Sequence, residues 1–267
     1  MTGPSRPCAC TIAGSDSGGG AGIQADLRTF AALSVWGTSA VTAVTAQNPE
    51  AVRGIWLLPP EAVAAQVKAV SDGFPVRAFK TGMLGGEDIV HAVADSLPAG
   101  VPLVVDPVMV ATSGKRLLDV DAVRALLEEI IPGATVVTPN IAEAAVIAGT
   151  GSITCLDEMR EAAAQILGLG PFSVVVKGGD LPSGTATDLY LDRSGELLLT
   201  GRRYPYTVHG SGCVFSAAIT AFLAKGTGIQ EAVRGAKGFM DGALGRAYRD
   251  PDGRYSADPM EGSPPIK

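Results

Sequence analysis

The 267 residues are 46% hydrophobic and 18% charged, with a formal net charge of −6. That is enough apolar material for one large core, and the charge balance excludes a nucleic-acid surface and a polybasic membrane patch, leaving a small molecule as the expected partner. The four cysteines, Cys8, Cys10, Cys155 and Cys213, have neither the density nor the spacing of a disulfide framework or a zinc site, which fits a reducing, cytoplasmic setting.

Met1 to Pro7 lacks the pattern of a signal peptide, and no stretch approaches the roughly 18 apolar residues of a membrane span. A single domain over 1–267 is expected, with residues 1–7 and the Pro/Gly/Ser/Asp-rich 255–267 as tails.

Cys8 to Ala13 reads as a β-strand that breaks at Gly14-Ser15-Asp16-Ser17-Gly18-Gly19-Gly20-Ala21-Gly22. The helix Gln24 to Ser34 follows, with Leu27, Phe30, Ala31 and Leu33 at helical spacing. Five glycines in nine residues exceed what a turn needs and suit close approach of backbone to a ligand. Cys8 and Cys10 fall on one face of the strand, as core thiols. Val35 to Ala46 is a second strand, closing on Gln47-Asn48. Gln47 both donates and accepts, which matches a heterocycle presenting a ring nitrogen beside an amino group and equally matches a loop amide serving the backbone.

Pro60 to Ser71 reads as a helix, Val76 to Lys80 as a strand leading into Thr81-Gly82-Met83, and Asp88 to Leu97 as a helix carrying His91 on its surface. The apolar strand Leu103 to Val105 delivers Asp106, with Thr112-Ser113-Gly114-Lys115 beyond. In open parallel sheets ligands bind outside the carboxyl ends of the strands, so Asp106 stands where a metal-phosphate would bind; capping local backbone is its other role. A helix over Asp121 to Ile130 and a strand over Thr135 to Val137 precede Thr138-Pro139-Asn140, which opens the helix Ile141 to Ile147. Asn140 and Glu143 have the spacing of a capping box, and the same acid suits the water shell of Mg²⁺.

Leu156 to Leu167 is helical, and the strand Ser173 to Val176 brings Lys177 to its exit, where a lysine meets phosphate. Thr187 to Leu191 and Glu196 to Thr200 form a hairpin, and helices over Ser211 to Ala224 and Ile229 to Tyr248 finish the chain. Between hairpin and helix lies Thr207-Val208-His209-Gly210-Ser211-Gly212-Cys213. Two glycines opening a helix aim its unpartnered N–H groups and dipole at an anion over Gly210, Ser211 and Gly212, with Cys213 at the edge; alone, the pattern is also that of a capped core helix. Continuous apolar strands alternating with helices predict a three-layer α/β/α fold with a mainly parallel central sheet. Neither a Walker A loop nor a dinucleotide fingerprint is present.

Seven stretches, in order, resemble the hydroxymethylpyrimidine/phosphomethylpyrimidine kinases of thiamine biosynthesis, in the ribokinase-like superfamily. They are AGSDSGGGAGIQADLRTFAAL (Ala13 to Leu33), GTSAVTAVTAQN (Gly37 to Asn48), KTGML (Lys80 to Leu84), VVDPVMVATSG (Val104 to Gly114), TPNIAEA (Thr138 to Ala144), VKGGD (Val176 to Asp180) and HGSGCVFSAAI (His209 to Ile219). The resemblance implies a Mg-ATP-dependent kinase that phosphorylates hydroxymethylpyrimidine and then its monophosphate, and a homodimer. It places Gly14, Asp26, Gln47, Met83 and Val108 at the pyrimidine. Asp106, Asn140, Glu143, Lys177 and His209 fall on the ATP side, with Asp106 and Glu143 holding Mg²⁺ through water. Gly210, Ser211 and Gly212 supply backbone donors, and the nucleotide base is expected near Lys177 to Asp180 and Gly235 to Gly238.

Two positions depart from the wider pattern. Cys213 stands where the superfamily's sugar kinases have the Asp that takes the hydroxyl proton, and a thiol whose pKa is lowered at a helix N-terminus is able to serve as that base; its other role is to orient the acceptor. Ser211 replaces the more frequent Thr and keeps the hydroxyl. A pyridoxal kinase and a ligand-binding regulator that has lost catalysis are the competing readings.

Overall fold

A computed structural model describes residues 6–48, 50–110, 117–181 and 186–260. Thr112 to Lys115 and the outer parts of both expected tails lie outside the described residues. The elements run β1 (Cys8–Asp16), α1 (Gly22–Ala32), β2 (Trp36–Gln47), β3 (Val52–Leu57), α2 (Pro60–Gly73), β4 (Val76–Thr81), α3 (Glu87–Ser96), β5 (Leu103–Val105) and α4 (Val120–Ala125). They continue β6 (Val136–Val137), α5 (Ile141–Ala148), α6 (Leu156–Gly168), β7 (Ser173–Val176), β8 (Ala186–Asp192), β9 (Gly195–Gly201), β10 (Val208–His209), α7 (Ser211–Ala224), α8 (Ile229–Gly245), β11 (Tyr248–Arg249) and β12 (Tyr255–Ser256).

The nine-stranded sheet has the order β3-β2-β1-β4-β5-β6-β7-β8-β9. The strands from β2 to β7 are parallel, whereas β3, β8 and β9 pair antiparallel at the two edges. The central strands, such as Val174, Val175 and Val176, are buried on both faces, as their unbroken apolar runs require. One face packs α2 to α6 around Phe79, Met159 and Ile166; the other packs α1, α7 and α8 around Phe30, Phe215 and Val233. The expected three-layer α/β/α fold is therefore present.

The chain leaves β1 toward β2 on one side and passes from β4 to β5 on the other. The carboxyl ends of β1 and β4 thus flank the topological switch point, the place where parallel sheets open a crevice. Cys8 and Cys10 are buried on β1, with burial pushing the Cys10 thiol up to about 12. His91 stays half-exposed on α3 against Glu87 and Glu129.

Several boundaries differ from the sequence reading. β1 runs past Gly14 to Asp16, because at a register shift Gly14 faces two residues of β2, Thr42 and Ala43, and pairing resumes at Ser15. The edge strand β3 has no counterpart in the reading. The helix expected to Ile130 is α only to Ala125 and then widens into a π turn over Leu126–Ile130. α8 stops at Gly245, after Gly242 and Gly245 in its last turn, instead of reaching Tyr248. The tail expected from 255 begins as a strand: Tyr255 and Ser256 pair with Val208 and His209.

Candidate active site

A cavity of about 910 Å³ opens over the carboxyl ends of the central strands. One end is lined by Gly14, Gln47, Met83 and Val108, the middle by Asp106, Asn140, Glu143, Lys177 and Gly210 to Cys213, and His209 also faces it. A Cβ on Gly14 would lie 2.9 Å from Met83 Cε, so this glycine keeps room at the closed end.

The glycine loop after β1 is built on Asp16. Its carboxylate accepts from Gly18 N (2.8 Å), Gly20 N (3.1 Å) and Ala21 N (2.9 Å), and lies 3.0 Å from His209 Nε2. Burial alone would raise the Asp16 pKa, but the His209 hydrogen bond and these N–H donors outweigh it and hold it below the usual range. His209 thus stands at the glycine loop, 3.2 Å from Gln47 Nε2, on the side assigned to the acceptor.

Against this loop, α7 begins after Gly210, whose φ of 78° is left-handed, and the cap uses no side chain. The N–H groups of Ser211, Gly212 and Cys213 therefore face the cavity as the free donors of a first helical turn. Lys177 Nζ donates to Asp106 Oδ1 at 2.9 Å, while Ser216 Oγ, one turn into α7, donates to Asp106 Oδ2 at 3.1 Å. Gly212 completes the arrangement, since a Cβ there would sit 3.1 Å from the Lys177 ammonium. Burial works against the Asp106 charge, but Lys177 and Lys80 outweigh it and keep the carboxyl low; the carboxylates of Asp106 and Glu143 in turn hold Lys177 above its ordinary value despite burial.

Asn140 and Glu143 do form a capping box: Asn140 Oδ1 accepts from Glu143 N and Glu143 Oε2 from Asn140 N, each at 2.8 Å. Lys177 N donates to Pro139 O at 2.8 Å, which ties this helix start to the end of β7. Burial pushes the Glu143 carboxyl up to about 7, against the pull of Lys177. A helix cap and a cavity-facing acid are here the same residue.

Besides His209, expected on the ATP side and found against Gln47, two assignments change. Asp26 is fully buried and does not line the cavity. Its Oδ2 accepts from Lys80 Nζ at 2.8 Å and Thr11 Oγ1 at 2.6 Å, so it holds Lys80 in place. The Cys213 thiol is pushed up to about 11, not down. Burial is the main cause, and Asp26 and Asp106 add to it, while Lys80 and the Gly22 N–H offset only part.

The reading gave no role to Asp16, Lys80, Ser216 or the buried Lys237–Asp188 pair, in which Nζ and Oδ2 are 2.8 Å apart. Lys80 had a signal: a lysine inside an apolar strand demands a buried carboxylate. The expected base pocket is drawn in part. Gly179, Asp180 and Lys237 line the far end of the cavity with Asp241 and residues 202–206, whereas Gly235 packs on Phe222.

The phosphomethylpyrimidine kinase family model matches residues 16–256, from the anchor of the glycine loop to β12. The chain belongs to the phosphomethylpyrimidine kinase family. As a member of that family it is a phosphotransferase. It is 49% identical over 245 residues to a hydroxymethylpyrimidine/phosphomethylpyrimidine kinase of Rhizobium meliloti, covering 90% of this chain and 91% of that one. The Streptomyces coelicolor protein of the same name is 45% identical, covering 91% and 92%. Among solved structures, the ADP complex of Bacillus subtilis pyridoxal kinase superposes with a TM-score of 0.89 at 37% identity, covering 97% and 98%. Phosphomethylpyrimidine kinase from Clostridium difficile gives 0.79 at 39%, covering 90% and 100%.

Proposed function

We propose that this family member transfers the γ-phosphoryl group of ATP to the hydroxymethyl group of hydroxymethylpyrimidine and then to the resulting monophosphate, yielding the diphosphate used in thiamine biosynthesis. The observation that carries the reading is one continuous cavity joining Gly14, Gln47 and Met83 at one end to Asp106, Lys177 and the start of α7. The relatives' names point to the same substrates.

In the transfer, the acceptor oxygen bonds to the γ-phosphorus as the bond to the β–γ bridging oxygen breaks, releasing ADP. The protein's share is alignment and charge. The N–H groups of Ser211, Gly212 and Cys213 donate to the transferred group, with Lys177 beside them. Cys213, a neutral thiol at pH 7, orients the hydroxymethyl group, and the hydroxyl proton leaves for solvent. A loose transition state asks little of a base.

Among the described residues, no group of three or more His, Cys, Asp or Glu forms a metal cage. The pair Asp106 and Glu143 beside a phosphate site is nonetheless the donor set that suits Mg²⁺, which keeps most of its waters and binds one or two carboxylates plus phosphates. These two residues would hold it through water, and it would neutralise charge on the phosphate oxygens.

A pyridoxal kinase is the second reading, favoured by the superposition on the Bacillus subtilis enzyme. The deciding experiment compares phosphate transfer from ATP to hydroxymethylpyrimidine, its monophosphate and pyridoxal. Transfer to both pyrimidines is expected. Preference for pyridoxal would overturn the assignment, an unused monophosphate would reduce it to one step, and binding without turnover would make the protein a regulator.

We also infer a homodimer, which the exposed apolar residues Val44, Trp56 and Leu57 around edge strand β3 support; light scattering tests it. A cytoplasmic setting is supported by the free thiols Cys8, Cys10, Cys155 and Cys213. No helix among the described residues is long and apolar enough to cross a membrane.

A further inference from the structure

One ring nitrogen, His209 Nε2, has two neighbours with opposite demands. Asp16 Oδ2 lies 3.0 Å away, and the Asp16 carboxylate, already accepting from Gly18 N, Gly20 N and Ala21 N, offers no proton. The nitrogen must therefore carry the hydrogen. Gln47 Nε2 lies 3.2 Å from the same atom, so an amide NH₂ faces a ring N–H, and neither has a lone pair to give.

A half-turn of the amide resolves this conflict and a second one. Thr45 Oγ1 gives its single proton to Ser15 O at 3.0 Å, leaving none for Gln47 Oε1 at 3.4 Å. With the amide turned, the one Nε2–H of His209 is shared between Asp16 Oδ2 and Gln47 Oε1 in a three-centre bond, and Gln47 Nε2 donates to Thr45 Oγ1. Every donor then has an acceptor.

We infer that His209, held by Asp16, fixes the amide of Gln47 in this one orientation and is thereby a specificity-determining positioning residue for the acceptor. The inference rests on Gln47 facing the pyrimidine, as proposed above. The fixed amide keeps one N–H and one carbonyl lone pair for the ligand. An adjacent ring nitrogen and amino group complement that pair, whereas pyridoxal has no such amino group. Without His209 the amide is free to present its groups in reversed order. The placement also accounts for Gly20, where a Cβ would lie 2.5 Å from the imidazole Cδ2: the loop has a glycine where the ring must pass.

The chain has two histidines, so His91→Gln leaves His209 as the only source of imidazole nitrogen signals. Nitrogen NMR of that protein is expected to show a protonated Nε2, with the Gln47 amide protons near Thr45 and not near the ring. An unprotonated Nε2 overturns the inference. Kinetically, His209→Leu is expected to raise KM for hydroxymethylpyrimidine about tenfold, the size of one lost hydrogen bond, with kcat within about twofold. Its preference for pyrimidine over pyridoxal falls by a similar factor. His209→Gln, which returns an N–H near the position of Nε2, restores most of both. Equal loss of kcat in both variants at unchanged KM would place His209 at the phosphate instead and sink the idea. If the wild type phosphorylates pyridoxal and no pyrimidine, the functional reading fails, and the nitrogen spectrum alone decides whether His209 orients Gln47.

Discussion

The backbone of Gly210 packs directly on the carbonyl of Gly20, leaving no space for a Cβ, so the two glycine loops of the site are built against each other. The obstacle at Gly210 is a backbone oxygen, which cannot rotate away as a side chain would. Gly210 also has a φ of 78°, a conformation that costs an L-residue about 1–2 kcal/mol by itself. Gly210→Ala is expected to lose more than that in stability and at least ~100-fold in kcat/KM, because it moves both walls of the site. Gly19→Ala is the control: its φ is 73°, yet nothing lies within 4 Å of its Cβ position, so it pays only the conformational cost and keeps activity within a few-fold. Urea unfolding and an ADP-release assay on the two variants test the contrast.

Lys80 and Asp26 are both fully buried, 2.8 Å apart. Removing one partner strands a charge without water, whereas removing both does not. Lys80→Met and Asp26→Leu should each cost about 3–5 kcal/mol, and the double variant less than either. Strictly additive losses in urea unfolding would show that the two side chains act independently.

The layers, the parallel sheet and many of the residues that line the cavity were legible because they rest on local signals: apolar runs, glycine clusters, and polar residues at strand exits. Asp106 and Lys177 could be placed on the same edge but not paired, since that takes the order β5-β6-β7. Asp26 came to the pyrimidine only through the family resemblance, and its burial against Lys80 carries no local signal in the sequence. The Cys213 proton was misjudged for a related reason. A helix terminus is visible in sequence, but the desolvation that opposes it arises from α1, β4 and α7 packing together. The short β10, β11 and β12 have too few residues for any periodicity.

Lys177 Nζ lies on Asp106 in the cavity beside the start of α7. Its charge is fixed in place by neighbouring carboxylates, so it needs no reorganisation to meet the transferred phosphoryl group. Lys177→Met is expected to lower kcat by about 10²–10³, the usual worth of one preorganised transition-state donor, with a smaller change in KM for the acceptor. A change confined to KM for ATP would restrict this lysine to ground-state binding.

Asp16 links the glycine loop to pH. Its pKa is depressed in the folded protein, so in the range between the folded and unfolded values the unfolded chain binds more protons and stability rises with pH. The stabilisation is complete above the ordinary aspartate value of about 4 and is lost as pH falls through the depressed one. The Tm difference between wild type and Asp16→Asn should therefore be largest near neutral pH and shrink below about pH 4. A difference that stays constant through the acid range would mean that the carboxylate charge is not what holds the loop.

Cys213 bears on how the reaction handles its proton. Burial pushes this thiol up to about 11, and the Lys80 ammonium recovers only part of the shift, so the neutral thiol dominates at pH 7. Iodoacetamide should accordingly modify the exposed Cys155 first, with Cys213 reacting faster as pH rises toward 11. A true general base contributes about 10²–10⁴-fold, whereas an orienting thiol contributes less. Cys213→Ala is therefore expected to retain kcat within about tenfold, with its loss mainly in KM for the acceptor, and Cys213→Ser to lie between it and the wild type. Rapid alkylation of Cys213 in the free protein at pH 7 together with a kcat loss beyond ~100-fold in Cys213→Ala would mean that the thiolate is present before substrates bind and takes the hydroxyl proton. The helix terminus would then prevail over burial.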